Sequence, residues 1–303
     1  MSAFSLESLS GLTAFITSVD TGGFAPAGRT LGLSASAVGK AVARLEARLG
    51  VRLLIRTTRR LSMTYEGEEL YARATRLIDD LREIETMLGD QAQAPVGRVR
   101  VSLPAALGRM VVLPRLAQFC EDHTGIELDI GLDDRKIDLV EGGFDLAVRT
   151  GSLDSSGLIA SKLSEHRFIL CAAPSYLQRF GAPASPDELG RHRCIRFRYP
   201  STGLLERWVF DNRELDRELG SGPTFNDSEA VVLAAIAGMG LAQLPDYTAR
   251  RALLSGQLVP LLSHHHCVRG DIWLVRPSHR ATPLRVQVFA RFLADVIESH
   301  ARQ

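Results

Sequence analysis

The chain has 303 residues, 45% of them hydrophobic and 23% charged, and carries a formal net charge of +1. This composition supplies apolar cores and excludes disorder, and the near-neutral balance excludes a polycation, so any nucleic-acid role must rest on a local cluster of charge. The length predicts two or three compact units. Residues 1–95 read as helix after helix. Leu9, Leu12, Ile16 and Val19 recur at three- and four-residue steps and predict a first amphipathic helix. "TGGF" breaks it, a short "APAGRTLG" helix follows, and Gly32 turns the chain before Ser34, an N-cap for a helix over residues 35–49. "VRLLIR" and "RLSMT" flank Thr57–Arg60 and predict a small hairpin. A long helix follows from about Thr64 to Asp90. Its apolar positions Leu70, Ala74, Leu77, Leu81, Ile84 and Leu88 are spaced 4, 3, 4, 3 and 4 apart, a heptad seam suited to dimerisation. Packing on the chain's own second domain is the alternative. Pro95 and Gly97 punctuate the boundary; beyond them strands alternate with helices, which predicts a largely parallel α/β sheet in two lobes, closed by a helix from Pro283 to about Ser299.

On the helix over 35–49, Val38, Val42, Leu45 and Leu49 form one stripe, expected to face the core. Ser36, Lys40, Ala43 and Ala47 lie opposite, with Ala37 and Arg44 on a flank. Small residues let a helix sink into a groove, and hydroxyl, lysine and arginine side chains meet base edges and phosphates there. Between residues 29 and 60 the bases are Arg29, Lys40, Arg44, Arg48, Arg52, Arg56, Arg59 and Arg60 and the sole acid is Glu46, a local +7. Such a cluster gains from counterion release on DNA. The expected DNA contacts are Ser34, Ser36, Ala37, Gly39, Lys40 and Arg44 on the reading helix, with Arg56, Thr57, Arg59 and Arg60 on a wing.

These residues resemble a LysR-type transcriptional regulator. The landmarks are Leu45–Glu46 with Leu49–Gly50 (LE-x-x-LG), Arg56 with Arg59 (R-x-x-R) and Thr64 with Gly67 (T-x-x-G); "GFDLAVRTG", "HRCIRF" and "FNDSEAVVLAAIAGMGLAQLPDY" resemble the effector domain. The resemblance implies an α+β multidomain chain: an N-terminal all-α winged helix-turn-helix with a long dimerisation helix, then a two-lobed α/β periplasmic-binding-protein-like domain. The expected divisions are 1–63 for DNA binding, 64–95 for the linker and dimerisation helix, and 96–303 for effector binding. Lobe I then covers about 98–167 with 270–303, and lobe II about 168–269. The family usually carries serine where Gly39 stands and often alanine where Gly28 stands. Gly39 either removes a polar contact to DNA or permits closer approach to it.

The resemblance further implies an effector cleft between the lobes. In open α/β sheets ligands gather at strand ends and helix N-termini. Ser102, Pro104 and Ala105 fit one such junction, Asn226 and Asp227 the opposing one. Arg149 and Thr150 end a strand and can reach an anion; Phe197 and Arg198 can line the other wall. Asp227 is alternatively a plain helix cap, Arg149 a partner of Asp145, and Ser102 a partner of its own helix. A carboxylate-bearing effector is the expectation Arg149 raises.

Cys120, Cys171, Cys194 and Cys267 are scattered without a C-x-x-C pair, which points to thiols in a reducing cytoplasm rather than a disulfide framework. The start "MSAFSLESLSGLTAF" lacks the pattern of a signal peptide, and the apolar run Val231–Leu244 is broken by glycines and too short to span a bilayer. "HHHC" at His264–Cys267 invites a metal reading, but consecutive residues in an extended segment point to opposite faces, so a surface loop is expected and no metal. No P-loop, G-x-S-x-G or H-E-x-x-H is present, so neither a catalytic constellation nor a cofactor is expected. The expectation is a cytoplasmic, effector-modulated regulator that binds double-stranded operator DNA. The resemblance adds a dimer, a dimer of dimers and contact with RNA polymerase. The alternative is a cytoplasmic small-molecule-binding protein with only non-specific DNA affinity.

Overall fold

A computed structural model describes residues 6–56, 61–88, 94–135, 138–153, 158–211, 213–215, 218–265, 267–278 and 282–302. The chain divides into two compact units, Met1–Gln93 and Ala94–Gln303.

In the first unit, α1 (Leu6–Asp20), α2 (Phe24–Leu31) and α3 (Ala35–Leu49) converge on a core of Leu12, Phe15, Ala27, Val38, Val42 and Leu45. The turn between α2 and α3 is so tight that a Cβ on Gly28 would stand 2.5 Å from the Leu33 carbonyl oxygen, so glycine is required there. Leu49, expected in the core, is 45% exposed. It is the last residue of α3, immediately before the left-handed cap Gly50, and the helix has run past the core by then. The hairpin forms from β1 (Leu54–Arg56) and antiparallel β2 (Leu61–Met63).

Thr64 then starts α4 (Tyr65–Leu88): its hydroxyl donates to the Arg52 carbonyl at 2.6 Å and accepts from the Gly67 amide at 3.0 Å. Gly67 is needed because a Cβ there would lie 2.1 Å from the Leu53 carbonyl oxygen. Two members of the expected seam face inward instead. Ala74 is buried and Leu70 half-buried, both packed into the core of this same unit. The cause is α1, which lies against the first turns of α4 and is tied to it by a hydrogen bond from the Tyr71 hydroxyl to Asp20. Leu77 is 39% exposed, while the side chains of Leu81, Ile84 and Leu88 lie outside the described residues.

The second unit opens with β3 (Gly97–Leu103), α5 (Ala105–Leu107), a π-helical turn over Gly108–Val112, α6 (Leu113–Asp122), β4 (Ile126–Leu132), α7 (Leu139–Gly142) and β5 (Leu146–Gly151). The long β6 (Leu158–Ala172) leads to α8 (Pro174–Phe180), β7 (Arg196–Phe197), β8 (Val209–Phe210), β9 (Arg213–Glu214) and β10 (Thr224–Phe225). Then follow α9 (Ser228–Ile236), β11 (Ala242–Pro245), α10 (Asp246–Leu254), β12 (Val259–Leu261), β13 (Val268–Pro277) and α11 (Leu284–Ala301). The main sheet runs β11-β6-β13-β5-β3-β4, with β12 also on β6.

The sheet is mixed, which corrects the expectation of a largely parallel one. Among its described strands β3 pairs in parallel with β4 and β5, whereas β13 is antiparallel to β5 and β6, and β11 and β12 are antiparallel to β6. The reason is β6 and β13, strands of 15 and 10 residues that run side by side in opposite directions. They join two separate cores. One gathers Val99, Val101, Leu103 and Phe119 under Phe289 and Leu293 of α11. The other gathers Ile195, Val231, Ala235, Leu244 and Leu258.

Candidate functional site

In the first unit, α3 turns Ser36, Lys40, Ala43, Arg44 and Ala47 outward, while Val38, Val42 and Leu45 are buried. Ser34 caps the helix, its hydroxyl oxygen accepting from the Ala37 amide at 3.1 Å. Ala37 and Gly39 are half-buried on the flank. The expected wing contacts Thr57, Arg59 and Arg60, and the side chain of Arg56, lie outside the described residues.

Glu46, the only acid in the basic stretch, has a structural assignment. Its Oε1 accepts from the amides of Leu53 and Leu54 at 2.8 and 3.1 Å, pinning the start of the hairpin to α3. A charged acceptor on two amides makes a strong, directed tie, and it draws this carboxylate away from the outward face. Gly39, in contrast, has no packing justification. A Cβ there would meet only the ring of Phe24 at 3.6 Å, an ordinary contact. Gly39→Ala is therefore expected to stabilise the first unit by about 1 kcal/mol, read by denaturant unfolding; a drop in stability would show a constraint on this position within the unit.

The second unit holds a cavity of about 300 Å³ lined by residues from β5, β6, β7 and α10. One wall comes from Pro104 and Ala106 beside α5, from Asp133, Asp134 and Arg135 after β4, and from Arg149 and Thr150 at the end of β5. The other comes from His166 and Phe168 on β6, Phe197 on β7, and Tyr199, Glu206, Tyr247 and Arg269. Of the residues named from sequence, Pro104, Arg149, Thr150 and Phe197 line this cavity together. The others are placed elsewhere. Ser102 is fully buried behind the wall, where its hydroxyl accepts from Arg149 Nη1 at 3.3 Å. The Ala105 amide donates to Asp134 at 3.0 Å. Asp227 caps α9 through the Ala230 amide at 2.8 Å, Asn226 is exposed, and Arg198 is exposed and donates to the Gly203 carbonyl at 2.8 Å. None of these five is among the lining residues.

The charges in the cavity are mostly matched. Arg135 grips Asp133 through two nitrogens at 2.9 and 2.6 Å. Arg269 Nη1 donates to Glu206 at 2.8 Å and to the Tyr199 hydroxyl at 3.0 Å, with its guanidinium carbon 5.0 Å from the centre of the Phe168 ring. Burial raises the Glu206 carboxyl above the ordinary range despite Arg269, and raises Asp134 likewise. Burial also lowers the Arg149 guanidinium, with Asp133 opposing. His166 is pushed down to about 3 by burial, with Arg269 adding to the effect, so its imidazole is neutral. Arg109 in the π-helical turn and Glu229 in the first turn of α9 form an ion pair at 2.6 Å.

Residues 92–298 match the family model described as the LysR substrate binding domain, and residues 9–68 match the bacterial regulatory helix-turn-helix protein, lysR family. The chain belongs to the LysR family of transcriptional regulators. It is a regulator with a helix-turn-helix DNA-binding domain and an effector-binding domain. Among LysR relatives, it is 33% identical over 299 residues to the uncharacterized HTH-type transcriptional regulator YhjC of Escherichia coli, covering 97% of this chain and 99% of that protein. The structure of CrgA, a LysR-type regulator from Neisseria meningitidis, matches with a TM-score of 0.61 at 32% identity, covering 98% of this chain and 99% of CrgA. The full-length Vibrio cholerae virulence activator AphB matches with a TM-score of 0.51 at 26% identity, covering 95% and 98%. LysR regulators bind DNA and small-molecule effectors and oligomerise. Among the described residues no helix is long and apolar enough to cross a membrane.

The LysR cleft contains residues that sequence reasoning passed over. His166 and Phe168 stand two apart on β6 and face the same side, a signal available from strand periodicity. Arg269 lies just beyond the "HHHC" run of His264–Cys267. His265 Nδ1 lies 2.7 Å from Asp211, and His266 lies outside the described residues. Among the described residues no group of three or more His, Cys, Asp or Glu is placed to hold a metal. Burial raises the Cys171 thiol to about 12, and Cys194 and Cys267 to about 11, whereas Cys120 is exposed.

Proposed function

We propose that this LysR regulator acts in the cytoplasm as a dimer of dimers on double-stranded operator DNA, with α3 as the reading helix. Residues 1–63 bind DNA, 64–95 link and dimerise, and 96–303 bind effector between lobe I (about 98–167 with 270–303) and lobe II (about 168–269). Dimerisation uses the part of α4 from Leu77 onward. The observation that carries the DNA reading is the outward face of α3: Ser36, Lys40 and Arg44 are exposed, and the local acid Glu46 is held by two amides. A small effector, anionic where it meets Arg149, binds in the cleft. Its differential affinity for two arrangements of the lobes alters how the DNA-binding units are presented to the operator and to RNA polymerase.

The test is salt-dependent binding to genomic fragments, including that upstream of the chain's own gene, in the presence of competitor DNA. Replacing Lys40 and Arg44 together with alanine is expected to lower operator affinity between about tenfold and a hundredfold. It should also flatten the plot of log affinity against log salt by about one unit for each phosphate that is no longer neutralised. Unchanged affinity and slope would reject α3 as the reading helix. Wild-type binding that vanishes with competitor would favour the small-molecule-binding alternative.

A further inference from the structure

One pair of side chains in the cleft wall is not accounted for by folding. His166 is only 7% exposed, and neither of its ring nitrogens has a hydrogen-bond partner in the protein. The backbone of Arg269 stands near enough to one ring nitrogen to favour its N–H, a marginal contact that leaves the lone pair of the other unmatched. Arg269 commits Nη1 to Glu206 and Tyr199, while its Nη2 is buried with no partner. Both residues line the same cavity. Packing would be served better by an apolar residue at 166, because the ring sits between Phe168, edge-on at 4.6 Å, and Tyr247, stacked at 6.1 Å. Buried polar groups left unpaired in a native fold call for an explanation, and a binding site supplies one.

The chemistry of the missing partner follows from what these groups offer. A neutral imidazole presents one N–H and one lone pair, and Arg269 Nη2 presents only N–H. A carboxylate oxygen would accept from both residues and leave the lone pair unmet. An ammonium would meet the lone pair and face the guanidinium with like charge. A hydroxyl donates to the lone pair and accepts from Arg269 Nη2 with one atom, leaving the imidazole N–H to the Arg269 backbone. Phe168, Phe197 and Tyr199 add aromatic faces to a wall that otherwise carries charged and hydroxyl groups, and about 300 Å³ is the scale of a small ring compound.

We propose that the cleft selects a small ring compound bearing a hydroxyl group, which donates to the His166 lone pair and accepts from Arg269 Nη2. This rests on the cleft being the effector site. It makes His166 a specificity-determining residue kept at the expense of packing, in line with the stability sacrificed at many binding sites.

The experiment is calorimetric titration of the full-length protein with benzoate, each of the three monohydroxybenzoates, and 4-carbamoylbenzoate as an amide-bearing control. One hydroxybenzoate isomer is expected to bind at least tenfold tighter than benzoate. His166→Phe should bring that ratio close to one while leaving the ligand-free melting temperature equal or higher. His166→Gln, which keeps a donor and an acceptor, should retain part of the ratio. If His166→Phe fails to fold, His166→Met serves in its place. Hydroxybenzoates that bind no tighter than benzoate, or less tightly than the amide, overturn hydroxyl recognition. In that case the cleft itself stands if Arg149→Ala removes the binding. Binding unmoved by both His166→Phe and Arg149→Ala overturns the cleft reading as well, and no binding by any of the five compounds overturns the proposal.

Discussion

Arg269→Met is expected to destabilise the second unit by about 3–5 kcal/mol at neutral pH, a fall in melting temperature of roughly 10 °C. The arginine is the cationic partner of Glu206, which is 6% exposed and has Nη1 of Arg269 at 2.8 Å. Without it the carboxylate keeps the Tyr199 hydroxyl at 2.8 Å and the weaker pull of Arg196 but is deprived of its nearest opposing charge. Methionine fills much of the same volume, so the deficit reports the stranded charge more than a cavity. The pH dependence separates these causes. Burial already holds the Glu206 carboxyl above its ordinary range against the pull of Arg269. Removing Arg269 raises it further, so the folded variant binds a proton that the unfolded chain releases. The deficit should therefore be largest at high pH and shrink as pH falls toward the carboxylate range. Adding Glu206→Gln should recover most of the deficit. A variant as stable as wild type at pH 8 would show that the pair contributes nothing net, and a deficit constant with pH would trace it to packing.

Periodicity exposes one face of an element clearly and says little about what covers it. The three inward residues Val38, Val42 and Leu45 are legible because α3 repeats every three to four positions. The role of Glu46 is hidden, because its partners Leu53 and Leu54 meet it only through the turn that follows. The heptad pattern of α4 merges two surfaces, since an apolar stripe reads alike whether α1 or a second chain covers it. Leu70 and Ala74 belong to the first case.

In the second unit the front of β6 carries exposed and half-buried residues in a run such as "IASK", which shows no alternation, and so the long antiparallel pairing with β13 is missed. The cleft follows the same logic. Pro104, Arg149, Thr150 and Phe197 are visible because α/β sheets offer strand ends and helix starts to ligands. Arg198 stands between the lining residues Phe197 and Tyr199, and in extended chain one step reverses the side chain; Asn226 precedes α9, whose first residue Ser228 lines the cavity. His166 sits in the middle of β6, and Arg269 is the second residue of β13, at the amino end of the strand, whereas the rule points to carboxyl ends.

His166 also gives the cleft a measurable acid response. Its pKa falls from the ordinary 6.5 to about 3 because burial, and secondarily the nearby Arg269, disfavours the imidazolium. Released into the unfolded chain, the ring binds a proton below 6.5; folded, it refuses one until about pH 3. The unfolded state therefore gains as pH falls, so the stability tied to the neutral ring is intact above 6.5 and declines progressively between 6.5 and 3. Each unit in that window is worth about 1.4 kcal/mol, so at pH 4.5 wild type should be about 3 kcal/mol less stable through this group. Glu206 and Asp134 act in the opposite sense, since their raised carboxyls take up protons earlier in the folded state. They are common to wild type and His166→Phe, so the difference between the two denaturation curves isolates the histidine. That difference should be flat above pH 7 and grow by about 3 kcal/mol in favour of the variant by pH 4.5. Parallel curves down to that pH would mean that the ring is protonated in the folded state. An imidazolium has no lone pair to accept from a hydroxyl, and an anionic group would then take the place of the hydroxyl between His166 and Arg269.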